Sequence, residues 1–290
     1  MQDDHFAALR RAKERLPLDK IRRNERMSAM IKILSDSPNR IFTLSHFCDL
    51  FGTAKSTMSE DIDILREVIK EFGLGELETV TGAAGGVRYR RRQTHAAARD
   101  FIAGLCAELS GTDRALPGGF LYYSDILATP EIVHRMGDII ATEYYDAAPD
   151  FVLTMETKGI PVAFATAEAL GVPLVIARRS SKVYEGSAVN INYVTGSSGR
   201  IETMSLARRS VTEGQKCLIV DDFLKGGGTA KGMAEMMREF KAEVVGMAFV
   251  METAAPVKKR VKGQKSLMVL DFEGDDKEKA IVKPAFWLSV

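Results

Sequence analysis

Cysteine is scarce in this 290-residue chain: Cys48, Cys106 and Cys217 are widely spaced and each sits among apolar neighbours. An odd number at such spacing makes neither a disulfide framework nor a metal-ligand pattern, and reads as buried thiols in a reducing compartment. Long apolar runs are missing too. None approaches the length of a membrane span, and the N-terminus lacks the apolar stretch of a secretory signal, so the expected location is the cytoplasm, with no membrane partner. No internal repeat is visible. Excess charge is also absent, since 40 Lys and Arg stand against 39 Asp and Glu, a net +1 that by itself does not point to nucleic acid.

What is present is an ordinary globular composition, 46% hydrophobic and 27% charged, with enough chain for one or two domains. The charge is unevenly placed: residues 1–92 hold 17 Lys and Arg against 14 acids, and the remainder 23 against 25. Residues 1–20 fit either a mobile basic arm or a short helix. Met27, Met30, Ile31 and Leu34 then recur at helical spacing, with Arg22, Arg23 and Arg26 at the start and Ser37-Pro38-Asn39 as the stop. Leu44, Phe47, Cys48 and Phe51 predict a two-turn helix opened by Thr43 and closed by Gly52. Met58, Ile62, Leu65, Ile69 and Phe72 predict a third helix, with Thr57 and Glu60 at capping-box spacing.

Two short helices, a tight turn and a third helix beginning Lys55-Ser56-Thr57-Met58-Ser59 make a helix-turn-helix pattern, in which the start of the later helix meets bases and phosphates. Leu77 to Thr81, a Gly-rich tip and Val87-Arg88-Tyr89-Arg90 predict a hairpin directly after it, the wing of a winged helix. Arg88 and Arg90 alternate with Tyr89, share a face and are expected to reach phosphates. The candidate DNA contacts are therefore Arg22, Arg23, Lys55, Ser56, Thr57, Ser59, Arg88 and Arg90. The competing reading is a three-helix dimerisation module with solvated basic residues.

The composition changes near Gln93, which sets the expected boundary between domains 1–92 and 93–290. Beyond it, strands at 151–155, 172–177, 217–220, 242–252 and 267–272 alternate with helices, which predicts an α/β domain with a mainly parallel sheet. Ligands of such sheets sit at the C-terminal strand ends. Three turns leave those ends: Glu156-Thr157-Lys158-Gly159, Arg178-Arg179-Ser180-Ser181-Lys182, and Asp221-Asp222-Phe223-Leu224-Lys225-Gly226-Gly227-Gly228-Thr229. The 180–200 stretch, rich in Gly and Ser, reads as a mobile cover on which Tyr184 and Tyr193 close.

The last turn joins two carboxylates to a triple glycine and a hydroxyl at a helix start. Backbone N–H groups there cradle phosphate, while carboxylates repel it and instead accept hydrogen bonds from vicinal sugar hydroxyls. A nucleotide P-loop needs a Lys-Ser/Thr close that is lacking, and a dinucleotide fingerprint needs glycine where Lys231 stands. The reading is a site for phosphorylated ribose; the alternative is an ordinary strand-turn-helix with an exposed acidic turn.

This stretch resembles the ribose-phosphate motif of the type I phosphoribosyltransferases, which bind phosphoribosyl pyrophosphate (PRPP). With Glu-Thr-Lys-Gly-Ile-Pro at 156–161, Gly-Ser-x-Val-x-Ile-Asn-Tyr-Val-x-Gly-Ser-Ser at 186–198, Thr-Met-Ser-Leu-Ala at 203–207 and Val-Asp-Asp-Phe at 220–223, almost the whole chain resembles the purine operon repressor family of low-GC Gram-positive bacteria. That resemblance implies a homodimeric repressor that binds a double-stranded DNA operator, and an effector domain that binds PRPP, or related phosphorylated ribonucleotides, without turning it over. It further implies Asp221 and Asp222 on the ribose hydroxyls, Lys225, Gly226, Gly227, Gly228 and Thr229 on the 5-phosphate, and Thr157, Lys158, Gly159, Arg178 and Lys182 on the pyrophosphate. Phe223 and Tyr184 are expected beside the ligand, and magnesium only through PRPP. No catalytic residue is assigned, because Lys225 stands where hydroxypurine enzymes of the fold place an Asp base. A working purine phosphoribosyltransferase with an N-terminal helical module is the alternative; a dual-function regulator or an RNA-binding attenuator is the third reading.

Overall fold

The computed structural model describes residues 21–82, 85–180, 186–195, 199–274 and 278–289. The chain divides into two compact units, with the division between Arg92 and Gln93.

In the first unit α1 (Arg23–Asp36), α2 (Leu44–Phe51) and α3 (Lys55–Glu71) precede the antiparallel hairpin β1 (Glu76–Val80) and β2 (Gly86–Arg90). Thr43 opens α2, its hydroxyl accepting the His46 N–H at 3.1 Å, and Gly52 closes it in the left-handed region at φ 65°. The expected capping box at Thr57 and Glu60 is not there. Helix α3 starts at Lys55, behind Ala54, which has no side chain able to cap. Thr57 is thus already inside the first turn.

The apolar stripes of the three helices meet in one core, where Met30, Leu34, Phe47, Met58, Ile62, Leu65 and Ile69 are closed over by Leu77 and Val87 of the hairpin. Phe42 bridges to Val87 through paired backbone bonds of 2.9 and 2.8 Å, which ties the hairpin to the residue before the α2 cap. The close approach explains Gly86, since a Cβ there would collide with the Phe42 carbonyl. Polar contacts also lock α1 to α3. Buried Arg26 donates to Asp61 Oδ2 at 2.9 and 2.8 Å and to the Ile21 carbonyl at 2.7 Å, and Arg23 Nε lies 2.9 Å from Asp61 Oδ1.

The second unit is built on a six-stranded sheet. In spatial order its strands are β12 (Lys279–Pro284), β11 (Lys265–Glu273), β10 (Glu243–Thr253), β9 (Lys216–Leu224), β5 (Phe151–Met155) and β6 (Leu174–Ala177), all parallel except the β12 edge. One face is covered by α4 (His95–Leu109), α6 (Pro130–Tyr144) and α7 (Ile160–Leu170), through residues such as Ile102, Met136, Ile140 and Val162. The other is covered by Met233, Met236 and Met237 of α8 (Gly228–Glu239) and by the hairpin β7 (Ala188–Val194) and β8 (Ile201–Ala207). A two-residue hairpin, β3 (Ala115–Leu116) with β4 (Phe120–Leu121), leads into the short α5 (Ser124–Ala128).

Two expectations change here. Strand β9 does not stop at Val220 but runs through both acids to Leu224, because β10 keeps pairing with it, Phe249 beside Asp221 and Met251 beside Phe223. Much of the expected cover at 180–200 is strand β7, whose alternation of Val189, Ile191 and Tyr193 with Asn190 and Asn192 is a period-two pattern. Helix α8 starts at Gly228, so the last glycine of the loop belongs to its first turn. Among the described residues, no helix is long and apolar enough to cross a membrane.

Candidate functional site

The C-terminal ends of β5 and β9 open into a cleft of about 550 Å³. Asp221, Asp222, Phe223, Lys225 and Gly226 to Thr229 line one side, and Glu156, Thr157 and Lys158 another. The glycine loop leads directly into α8. Gly227 takes φ 79° as the N-cap of α8, and the first-turn N–H groups that follow have no intrahelical partner, which leaves donors and the positive end of the helix dipole for an anion. Gly226, Gly227 and Gly228 are buried, whereas Lys225 is exposed.

The two acids have different surroundings. Asp221 is buried, its Oδ1 accepting the Asp222 N–H at 3.0 Å, and its side chain packs against Gly159 so closely that a Cβ there would collide with it. Burial, and then the charge of Asp222, raise the Asp221 pKa well above the ordinary carboxylate range. Asp222 is half-buried, and its Oδ2 accepts the hydroxyl of Tyr123 at 2.6 Å. Burial first, and Asp222 second, push the Tyr123 pKa up, so this phenol keeps its proton and donates. The ring stacks on Phe223 at 6.2 Å between centroids, and the Lys158 ammonium lies 5.0 Å from its centre.

The cation on the β6 turn is one residue further on than expected. Arg178 pairs its backbone with Ser205 at 2.9 and 2.7 Å and lies 3.5 Å from the Glu156 carboxylate, while Arg179 lines the cleft. At a strand end successive side chains point to opposite sides, so a one-residue displacement changes which one faces the cleft. Glu156 Oε1 accepts the Arg179 N–H at 2.7 Å and ties the two turns together. Lys182 and Tyr184 lie outside the described residues. Tyr193 lines the cleft from β7, its hydroxyl donating to Glu202 at 3.0 Å; burial, then Glu202, push its pKa up to about 12.

Tyr123, Arg179 and Glu202 were not singled out from the sequence. Only the aromatic run Phe120, Tyr122, Tyr123 after Pro117-Gly118-Gly119 offered a signal. Among the described residues no group of three or more His, Cys, Asp or Glu is arranged to hold a metal ion.

In the first unit Lys55, Ser56 and Ser59 are exposed at the start of α3, and Thr57 is half-buried. Arg22 is exposed, its N–H donating to Glu25 at 2.8 Å, and Arg23 is half-exposed and reaches Glu60 at 2.9 Å. The wing arginines depart from expectation. Arg88 and Arg90 do share a face of β2, but Glu78 is on it as well, 2.9 Å from Arg88 and 3.2 Å from Arg90. Arg90 is only 5% exposed and also donates to Asn39 at 3.1 Å, so its guanidinium is held within the wing and away from any phosphate. The hydrogen bond from Arg88 is the main cause that holds the Glu78 carboxyl below its ordinary pKa; burial opposes it, and the charges of Arg90, Arg88 and Arg92 each add a smaller lowering.

A winged helix followed by a phosphoribosyltransferase fold defines the class of the molecule. Residues 22–90 match the family described as bacterial purine repressor, N-terminal, and residues 122–283 the phosphoribosyl transferase domain. The purine biosynthesis transcriptional repressor PurR of Bacillus subtilis is 42% identical over 251 residues, 87% of this chain and 88% of that one. The purine biosynthesis transcriptional activator PurR of Lactococcus lactis subsp. lactis is 40% identical over 251 residues, 87% and 93% of the two chains. The adenine phosphoribosyltransferase structure from Thermoanaerobacter pseudethanolicus superposes with a TM-score of 0.50 at 22% identity, covering 58% of this chain and 98% of that one, a likeness of fold. The chain belongs to the family of bacterial purine biosynthesis transcriptional regulators.

Proposed function

We propose that the protein is a homodimeric, cytoplasmic repressor of purine biosynthesis genes that binds operator DNA through its winged helix and is released when PRPP fills the cleft, with no turnover of PRPP. The observation that carries this is one cleft in which a pair of carboxylates faces a glycine-rich helix start, on a chain that also has a winged helix. Asp221 and Asp222 accept the ribose hydroxyls, the 226–229 loop takes the 5-phosphate, and Thr157, Lys158 and Arg179 face the pyrophosphate. Magnesium arrives on the pyrophosphate oxygens, since that ion is held by substrate phosphates with few protein ligands. Lys225 in place of an acid leaves that position without a base and favours holding an anion over reacting it.

On the DNA side, Lys55, Ser56 and Ser59 enter the major groove and Arg22 and Arg23 flank it. Release by PRPP requires that the ligand bind the DNA-free state more tightly, by a few kcal/mol for a near-complete switch.

The test is a titration of duplex DNA from upstream of purine biosynthesis genes with the protein, with and without PRPP, at two salt concentrations. Operator affinity is expected to fall steeply with salt as counterions are released. It is also expected to fall at least tenfold at saturating PRPP, and Asp222→Asn should lose most of that response. Unchanged operator affinity with PRPP rejects the sensor reading, and a rise makes the effector a co-binder, with activation as the outcome. Pyrophosphate released from PRPP with any purine base at ordinary enzymatic rates would favour the phosphoribosyltransferase reading.

A further inference from the structure

Tyr123 has no role in the reading above, yet it lines the cleft. Its hydroxyl sits 2.6 Å from Asp222 Oδ2, the same carboxylate that the reading gives to a ribose hydroxyl. Its ring carries the Lys158 ammonium at 5.0 Å, the cation assigned to the pyrophosphate. The residue is 7% exposed and stacks on Phe223, which continues the strand that bears the acids. One side chain therefore engages both the acceptor of the sugar site and the cation of the pyrophosphate site.

We propose that Tyr123 is the specificity-determining residue of the cleft, an internal competitor that stands in for the ligand and yields only to one that replaces both of its contacts, a vicinal diol on Asp222 and a polyphosphate on Lys158. This rests on the reading of the cleft as a phosphoribosyl site.

A sugar hydroxyl donates to Asp222 as the phenol does, so the carboxylate exchanges one charge-assisted hydrogen bond for another and stays satisfied. The phenol must then find a new partner, which sets a threshold for entry. A ligand with phosphates alone takes Lys158 from the ring and leaves the phenol on Asp222, so the site does not open fully. A sugar phosphate without the diol displaces the phenol with fewer replacing bonds and binds poorly. Abundant inorganic phosphates are thereby kept from acting as effectors.

The experiment is calorimetric titration, with magnesium present, of the full chain and of Tyr123→Phe and Tyr123→Leu. The ligands are PRPP, ribose 5-phosphate, 2-deoxyribose 5-phosphate and inorganic pyrophosphate. Tyr123→Phe keeps the ring and loses the hydroxyl; it is expected to bind PRPP and ribose 5-phosphate about tenfold more tightly, 2-deoxyribose 5-phosphate less so, and pyrophosphate within about twofold of the parent. Tyr123→Leu also frees Lys158, and should tighten pyrophosphate by about two- to fivefold. Equal shifts for all four ligands in Tyr123→Phe would reveal a structural effect only, and no shift for the diol ligands would remove the competitor; either overturns the proposal. Weaker PRPP binding by Tyr123→Phe also overturns it, by making the phenol a direct ligand contact. If the parent protein binds neither PRPP nor ribose 5-phosphate, the reading of the cleft itself fails and takes the proposal with it. A parent that binds both, with an unresponsive Tyr123→Phe, leaves the cleft reading standing.

Discussion

Among the described residues each unit buries one aspartate on its central element, and the two are treated in opposite ways. Asp61 on α3 is fully buried between Arg26 and Arg23, so its charge is neutralised where it stands. Asp221 on β9 is 7% exposed and its neighbour is another carboxylate. The wing repeats the first pattern, with Glu78 between Arg88 and Arg90 and Glu76 beside Arg92 at 2.9 Å. Matched charge ties α1 to α3 and β1 to the chain at β2. Like charge held together in the cleft costs stability in the free protein and is relieved by whatever brings donors to it.

The largest way to break this comparison is Asp61→Ala. It leaves Arg26 buried without its partner, and the first unit is expected to lose about 3–5 kcal/mol, seen as early melting of that unit and loss of operator binding. Should the loss stay below about 1 kcal/mol, matched charge is not what holds α1 to α3.

Asp221→Asn tests the other side, and its sign is opposite. Asp221 titrates higher in the folded chain than in the unfolded one, so the folded state binds the extra proton and its stability falls as pH rises from the ordinary carboxylate range through the raised value. At neutral pH the variant should therefore melt higher than the parent, by about 2–4 °C per kcal/mol of repulsion removed, while its PRPP response falls. The gap should close as pH drops below the ordinary carboxylate range. A variant less stable than the parent at neutral pH would show that Asp221 is satisfied without a ligand.

The smallest effect sharpens the picture of the first unit. Thr43→Ala removes the cap of α2, next to the Phe42–Val87 bridge, and should cost about 1 kcal/mol by thermal melting.

How much of this was legible follows from how local each cause is. Thr43 and Gly52 bracket α2 through bonds within a few residues, and the Asp-Asp-x-x-Lys-Gly-Gly-Gly-Thr order carries its chemistry within one turn. The cap of α3 was not legible, because Thr57 and Glu60 have capping-box spacing whereas Ala54 marks the start without any side-chain bond. The wing arginines were legible as a shared face but not as paired, since Glu78 meets Arg88 only through the register of β1 on β2. Tyr123 is 99 residues from Asp222, and nothing in the spacing of either forecasts their contact. The β7–β8 hairpin lay within reach, because Val189, Ile191 and Tyr193 alternate, but nearby glycines and serines drew the reading towards a loop.

The acids ride on a strand instead of a loop, because β9 keeps its ladder with β10 past Asp221 to Leu224. Their backbone is therefore immobilised when the sheet forms, and a ligand arriving later meets acceptors already at fixed spacing. The entropy of ordering them was lost at folding and does not weaken the complex. Such a pair is a rigid template, held by the sheet before any partner reaches it.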